Sequence, residues 1–202
     1  MEARWRAFWA RSGAKGNSLP PFRDLAGRYA EPHRLYHTFA HIGLCLKEYD
    51  AVRPEARQPD AVEMAIWYHD AVYDPRAADN EERSARLALD VAESAGLAIG
   101  SRTAELIRAS THRSVPDDPD TRLFADIDLS ILGQPGEVFD EYERGVRKEY
   151  AWVPEAAFRA GRSGILRSFL ARPSIYGTGG FRARYENAAR SNLERSLRSL
   201  TP

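Results

Sequence analysis

Trp67-Tyr68-His69-Asp70 closes an apolar run that opens upstream at Asp60-Ala61-Val62-Glu63. Asp60 and Glu63 have the spacing of a capping box, in which the first carboxylate takes a free helix amide and the second reaches back. From there Val62, Ile66, His69 and Tyr73 recur at helical spacing, so His69 is expected on the face that packs inward. Asp70 then lies about 100° around the helix from it. A carboxylate near a protein interior has to be hydrogen-bonded, paired or bound to a metal. Imidazole nitrogen with carboxylate oxygen suits a borderline or hard divalent cation. A core histidine bonded to a backbone carbonyl, with Asp70 ending the helix, is the other reading of the same residues.

Working outward, the pattern is helical throughout. Residues 1–14 read as an amphipathic helix with Trp5, Phe8 and Trp9 on one side, broken by Gly13, Gly16, Asn17 and Pro20-Pro21. A second helix is expected from about Pro32 to Val52, with Leu35, Phe39, Ile42, Leu46 and Tyr49 as its core stripe. His37 and His41, four apart, fall roughly opposite that stripe, on the surface or lining a polar cleft. A helix opening near Asp79 carries alanines at 85, 88, 92 and 95 that would let another helix approach closely, and Gly96 ends it. A further helix runs from about Ser101 to Thr111-His112, followed by a turn-rich loop at 116–120. Leu123 to Leu132 holds Asp126 and Asp128 in an apolar run; nothing nearby offers a partner strand, so helix is expected, with the two carboxylates about 200° apart. Helices at about 137–150, 154–171 and 181–200 complete an all-α chain.

With 202 residues, 43% of them hydrophobic, the chain is expected to form one domain with a substantial core. No apolar run approaches the ~20 residues that cross a bilayer, the first residues lack a secretory pattern, and the single Cys45 allows no internal disulfide. A cytoplasmic location follows by elimination. Zero net charge disfavours non-specific nucleic-acid binding. The nine arginines from Arg159 to Arg198 are either a solvated helical face or a surface towards an anionic ligand.

The uncommon residues fall in the order His … His-Asp … Asp, each from a different helix: His37 with His41, then His69-Asp70, then Asp126 with Asp128, and His112 between. This order resembles the HD superfamily of metal-dependent phosphohydrolases. Arg34-Leu-Tyr-His37-Thr-Phe-Ala-His41-Ile, Trp67 to Asp74, Asn80 to Ala85, Asp126 to Gly133 and Arg147 to Tyr150 are similar to a group of small bacterial proteins described as predicted HD phosphohydrolases. The likeness covers about residues 30–195.

The resemblance implies an HD-domain-like helical bundle with additional N- and C-terminal helices. Its metal-site core would span about 30–135, with the helices of about 137–200 packed on it. By position it implies His37, His69, Asp70 and Asp126 as ligands of a divalent ion (Mn, Fe, Co, Ni, Zn or Mg), Asp126 being preferred because it follows a small residue. Asp128 would orient a ligand imidazole. His41 and His112, with Asp70 and Asp128, would serve catalysis, by holding a second metal or a phosphate oxygen or by giving a proton. Arg34, Arg83 and Arg113 are candidates for gripping phosphate. The expected substrate is a small phosphomonoester, diphosphate or phosphodiester, a nucleotide among the candidates. A non-catalytic metal-braced regulatory module and an HD-type di-iron oxygenase are the competing readings.

Overall fold

Residues 61 to 68 are all buried, and all but Glu63 are uncharged, the signature of a helix that lies at the centre of its neighbours. The computed structural model describes residues 1–112 and 116–200, and among these every regular element is helical. The helices are α1 (Glu2–Arg11), α2 (Leu19–Arg28), α3 (Phe39–Val52), α4 (Pro59–Tyr68), α5 (Asn80–Ser94), α6 (Gly100–Arg108), α7 (Pro119–Asp128), α8 (Gly136–Glu149), α9 (Glu155–Leu170) and α10 (Gly179–Leu200). Short 3₁₀ turns extend α3, α6 and α7, the last over Leu129–Gly133. No helix among the described residues is long and apolar enough to cross a membrane.

The buried helix is α4, and α3, α5, α6 and α7 pack around it. The alanines of α5 do what their size suggests: Ala85, Ala88 and Ala92 are fully buried against α6. At Gly100 an added Cβ would come within 2.9 Å of the Ala92 methyl, so only glycine lets the two helices approach this closely. Gly96, at φ +65°, turns the chain out of α5 as expected. The C-terminal helices pack largely on one another and on the turn Leu129–Gly133, which α8 and α10 both cover.

Four local expectations are corrected. Asp60 and Glu63 do not cap α4: Pro59 and Asp60 already form its first turn, and both carboxylates pair with arginines, Asp60 with Arg11 (3.0 Å) and Arg53 (3.4 Å), Glu63 with Arg11 (2.7 Å) and Arg4 (3.4 Å). Pro20-Pro21 does not break the chain but sits in the first turn of α2, where a missing N–H costs nothing. The helix expected from Pro32 begins only at Phe39, with the Thr38 hydroxyl capping the Ala40 amide at 3.2 Å. Leu35 therefore leaves the core stripe and is 52% exposed, whereas His41, expected on the surface or in a polar cleft, is buried and lines a cleft.

The N-terminal helix is tied to the end of α4 by aromatic packing. Trp5 is fully buried, lies 5.4 Å from Trp67 and 6.1 Å from Tyr68 between ring centres, and donates its indole N–H to the Ser18 carbonyl at 2.8 Å. Trp5→Ala should therefore lower unfolding free energy by about 3–5 kcal/mol, read by chemical denaturation; a loss inside the scatter of surface mutants would show that α1 is not part of the core.

Candidate metal centre

The end of α4, the start of α3 and the end of α7 meet at one point. His41 is the third residue of α3, His69 and Asp70 follow directly on α4, and Asp128 is the last residue of α7. The two Nε2 atoms of His41 and His69 are 3.1 Å apart. His41 Nε2 lies 3.1 Å from Asp128 Oδ1 and 3.5 Å from Asp70 Oδ2. His69 Nε2 lies 3.2 Å from Asp70 Oδ2 and 3.5 Å from Asp128 Oδ1. Cys45, one turn beyond His41, brings its thiol to 3.8 Å from the same nitrogen.

Proton bookkeeping shows what this arrangement asks for. His69 Nδ1 donates to the Ile66 carbonyl at 3.1 Å, so in the neutral ring Nε2 is a bare lone pair. His41 Nδ1 sits 2.9 Å from the Tyr36 hydroxyl, which can accept its N–H and leave the other Nε2 bare as well. Two nitrogens in contact share at most one proton, and the carboxylates bring only acceptors. Atoms bound to one cation at about 2.0–2.2 Å in tetrahedral or octahedral array lie about 3.0–3.5 Å from each other, and the cluster has that spacing. Its donor set, two imidazoles and two carboxylates, fits a divalent cation.

The electrostatics lean the same way. Burial opposes a charged His69, yet Asp70 and Asp128 outweigh it and raise its pKa well above the ordinary imidazole value. Burial also opposes charge on Asp70 and Asp128, but His69 above all overrides it and holds both carboxyls below the usual range. The point attracts positive charge, whether as protons on imidazole or as a cation.

The expected site residues sort into two groups. His69, Asp70, Asp128, His41 and His112 come together; His37 and Asp126 stand outside the cluster. His112 donates from Nε2 to Asp128 Oδ2 at 2.7 Å, from a left-handed backbone (φ 52°) that costs a non-glycine residue on the order of 1 kcal/mol. The Arg172 guanidinium donates to the His112 carbonyl and helps to hold it there. Asp126, expected as the ligand, points away: its two oxygens accept the amides of Gly177 and Thr178 at 2.7 Å each, ahead of α10. Burial raises its pKa despite those bonds.

His37, also expected as a ligand, lies in the loop before α3. Its Nδ1 donates to Glu149 Oε2 at 2.6 Å, and its ring stacks on Tyr73 with centres 4.2 Å apart. Glu149 is buried at the end of α8, where its other oxygen accepts the amides of Leu35, Tyr36 and His37 at 2.7, 2.8 and 3.0 Å. Burial would raise the Glu149 carboxyl, but His37 and these amides hold it down to about 2. Glu149 falls in the Arg147 to Tyr150 segment of the resemblance, but no local pattern gives its role, since His37 and the three amides lie more than 110 residues away and Tyr73 lies 76 away. Arg34 is not a phosphate grip either: its buried guanidinium donates to the carbonyls of His37, Asp70 and Ala71, and so braces the two loops of the site. Arg83 faces solvent beside Asp79, and Arg113 lies outside the described residues.

The cluster forms part of the lining of a cavity of about 700 Å³. Its other walls are Tyr36, His37 and Tyr73 near the loop, the turn after α7, and the facing sides of α8 and α9. Comparison with known proteins adds no relative: no family model, no curated protein and no solved structure matches the chain. Fold and site together define an all-α protein with a candidate metal centre built from His41, His69, Asp70 and Asp128, with Cys45 adjacent.

The two aspartates of α7 should separate cleanly. Asp128→Ala should cut metal content or affinity by more than about 100-fold, whereas Asp126→Ala should keep the metal and lose on the order of 1–3 kcal/mol of stability as two half-buried amides lose their acceptor. Metal analysis and denaturation of both variants decide it; a metal loss confined to Asp126→Ala would reverse the roles.

Proposed function

We propose that this protein is a metal-dependent phosphohydrolase of the HD type acting on a small phosphorylated molecule. The observation that carries the reading is the buried cluster of His41, His69, Asp70 and Asp128, which follows the order His … His-Asp … Asp along the chain and opens on a cavity of substrate size. These four residues would hold one divalent cation. Such an ion, when bound, lowers the pKa of water and offsets charge that develops on phosphorus.

The remaining work belongs to the chain. His112 fixes the orientation of the Asp128 carboxylate, and Tyr36 fixes the ring of His41. His37 is the proton carrier: Glu149 engages Nδ1 and sets the ring, which leaves Nε2 as the nitrogen available to the cavity that His37 lines. Burial opposes charge on His37, but Asp70 and Glu149 outweigh it and raise its pKa, so the ring is supplied with a proton to give to a leaving oxygen. Tyr73 donates its hydroxyl to Glu149 Oε2 at 2.9 Å and packs against the imidazole, keeping the ring from swinging away.

Hydrolysis of a panel of monoesters, diesters and nucleotides, read by phosphate or by alcohol and nucleoside release as each substrate requires, should need added Mn²⁺, Mg²⁺ or another divalent ion and should be abolished by a chelator. His37→Gln should lower kcat by roughly 10²–10⁴ while the metal content stays at the parent's level. Glu149→Gln should shift the pH profile as well as the rate, because it acts through His37. Oxygen uptake coupled to substrate loss would replace this reading with an oxidase, and bound metal without turnover of any kind would leave a metal-braced binding module.

A further inference from the structure

The cavity has two kinds of wall. The imidazoles and carboxylates come from the His37 loop, α3, the end of α4, Glu81 of α5, the end of α7 and His112; the side built by α8 and α9 is apolar apart from Arg162 and the Tyr142 hydroxyl. Along α9, Phe158, Ile165 and Phe169 form a stripe at helical spacing, continued by Val153 before the helix and Val146 on α8. Ile165 is 48% exposed although it lines the cavity, so its side chain is free to be covered by whatever enters. Between these side chains Gly161 leaves a gap: a Cβ built there would meet nothing within 4 Å.

The charges of the cavity fit a single anionic group. Among the described lining residues Arg162 is the only arginine or lysine, and it is already committed, donating to Glu143 and, at 2.7 Å, to the Tyr142 hydroxyl. A di- or triphosphate spreads its charge over several groups and calls for arginine or lysine at each. Here a positive partner for an anion would come from the cation the cluster would hold, at one end of the cavity.

We infer that the substrate is a monophosphate ester of an apolar or aromatic body: the phosphoryl group sits at the cluster, and the body lies against Phe158, Gly161, Ile165 and Phe169 of α9. The inference rests on the phosphohydrolase reading and names its substrate class. A pocket of about 700 Å³ has room for such a body.

Binding of two non-hydrolysable probes to the Mn²⁺-supplemented protein tests it by calorimetry. Naphthylmethylphosphonate should bind on the order of 100-fold more tightly than methylphosphonate, from the apolar area it buries, and with the more negative heat-capacity change. Ile165→Asp, which puts a charge on the wall, and Gly161→Leu, which fills the gap, should each reduce that ratio by about tenfold. Both positions are exposed on α9, and circular dichroism checks that the helices persist. Equal affinity for the two phosphonates, tighter binding of adenosine triphosphate than of naphthylmethylphosphonate, or a ratio unchanged in both variants would overturn the inference. Methyl phosphate hydrolysed as efficiently as naphthyl phosphate would also overturn it and leave the phosphohydrolase standing. Tight, wall-dependent binding of naphthylmethylphosphonate with no phosphate released from either ester would instead remove the hydrolase and leave the apolar wall as a ligand site.

Discussion

Two imidazole nitrogens 3.1 Å apart, facing two carboxylates where little water reaches, persist only if something positive lies among them. The rest of the structure is arranged around that demand. The helix α4 is buried on every side, its one charged side chain within the core, Glu63, being paired with arginines of α1, so it can run through the centre of the molecule and deliver His69 and Asp70 at its far end. The ends of two more helices bring His41 and Asp128 to the same place, and each imidazole is pinned at its second nitrogen, one by a carbonyl and one by a tyrosine. Even the competing reading of His69 as a core histidine bonded to a carbonyl proves compatible, since that bond is what frees the other nitrogen.

The all-helical class was legible because each periodic run is long and its neighbours never suggest a paired strand. Helices from α5 onward match their expected limits within a few residues, and the alanine face of α5 was readable as a close contact. The pair of prolines at 20–21 was misread because proline stops a helix only in its interior, and here it occupies a first turn. Asp60 and Glu63 had the spacing of a cap, but three arginines from α1 and the end of α3 claimed both carboxylates.

At the site, residue types were legible and individual positions were not. His37 and His41 are chemically interchangeable in sequence, as are Asp126 and Asp128. What separates the histidines is Glu149, whose one oxygen gathers three successive amides and delays the start of α3 until Phe39. What separates the aspartates is the approach to α10, whose amides at Gly177 and Thr178 need an acceptor and take Asp126. Both decisions are made by partners 51 to 114 residues away, beyond the reach of any local pattern.

The position of Glu149 in the chain also divides the site in time. All four cluster residues lie between positions 41 and 128, so a chain emerging in order from its N-terminus has every one of them before α8 exists. The loop carrying His37 finds its carboxylate only when the last residue of α8 arrives, and the wall of α9 follows later still. The candidate metal ligands are thus synthesised ahead of the residues that wall the rest of the cavity. An ion met during that interval would find its ligands in place before anything that selects the cavity's other occupant.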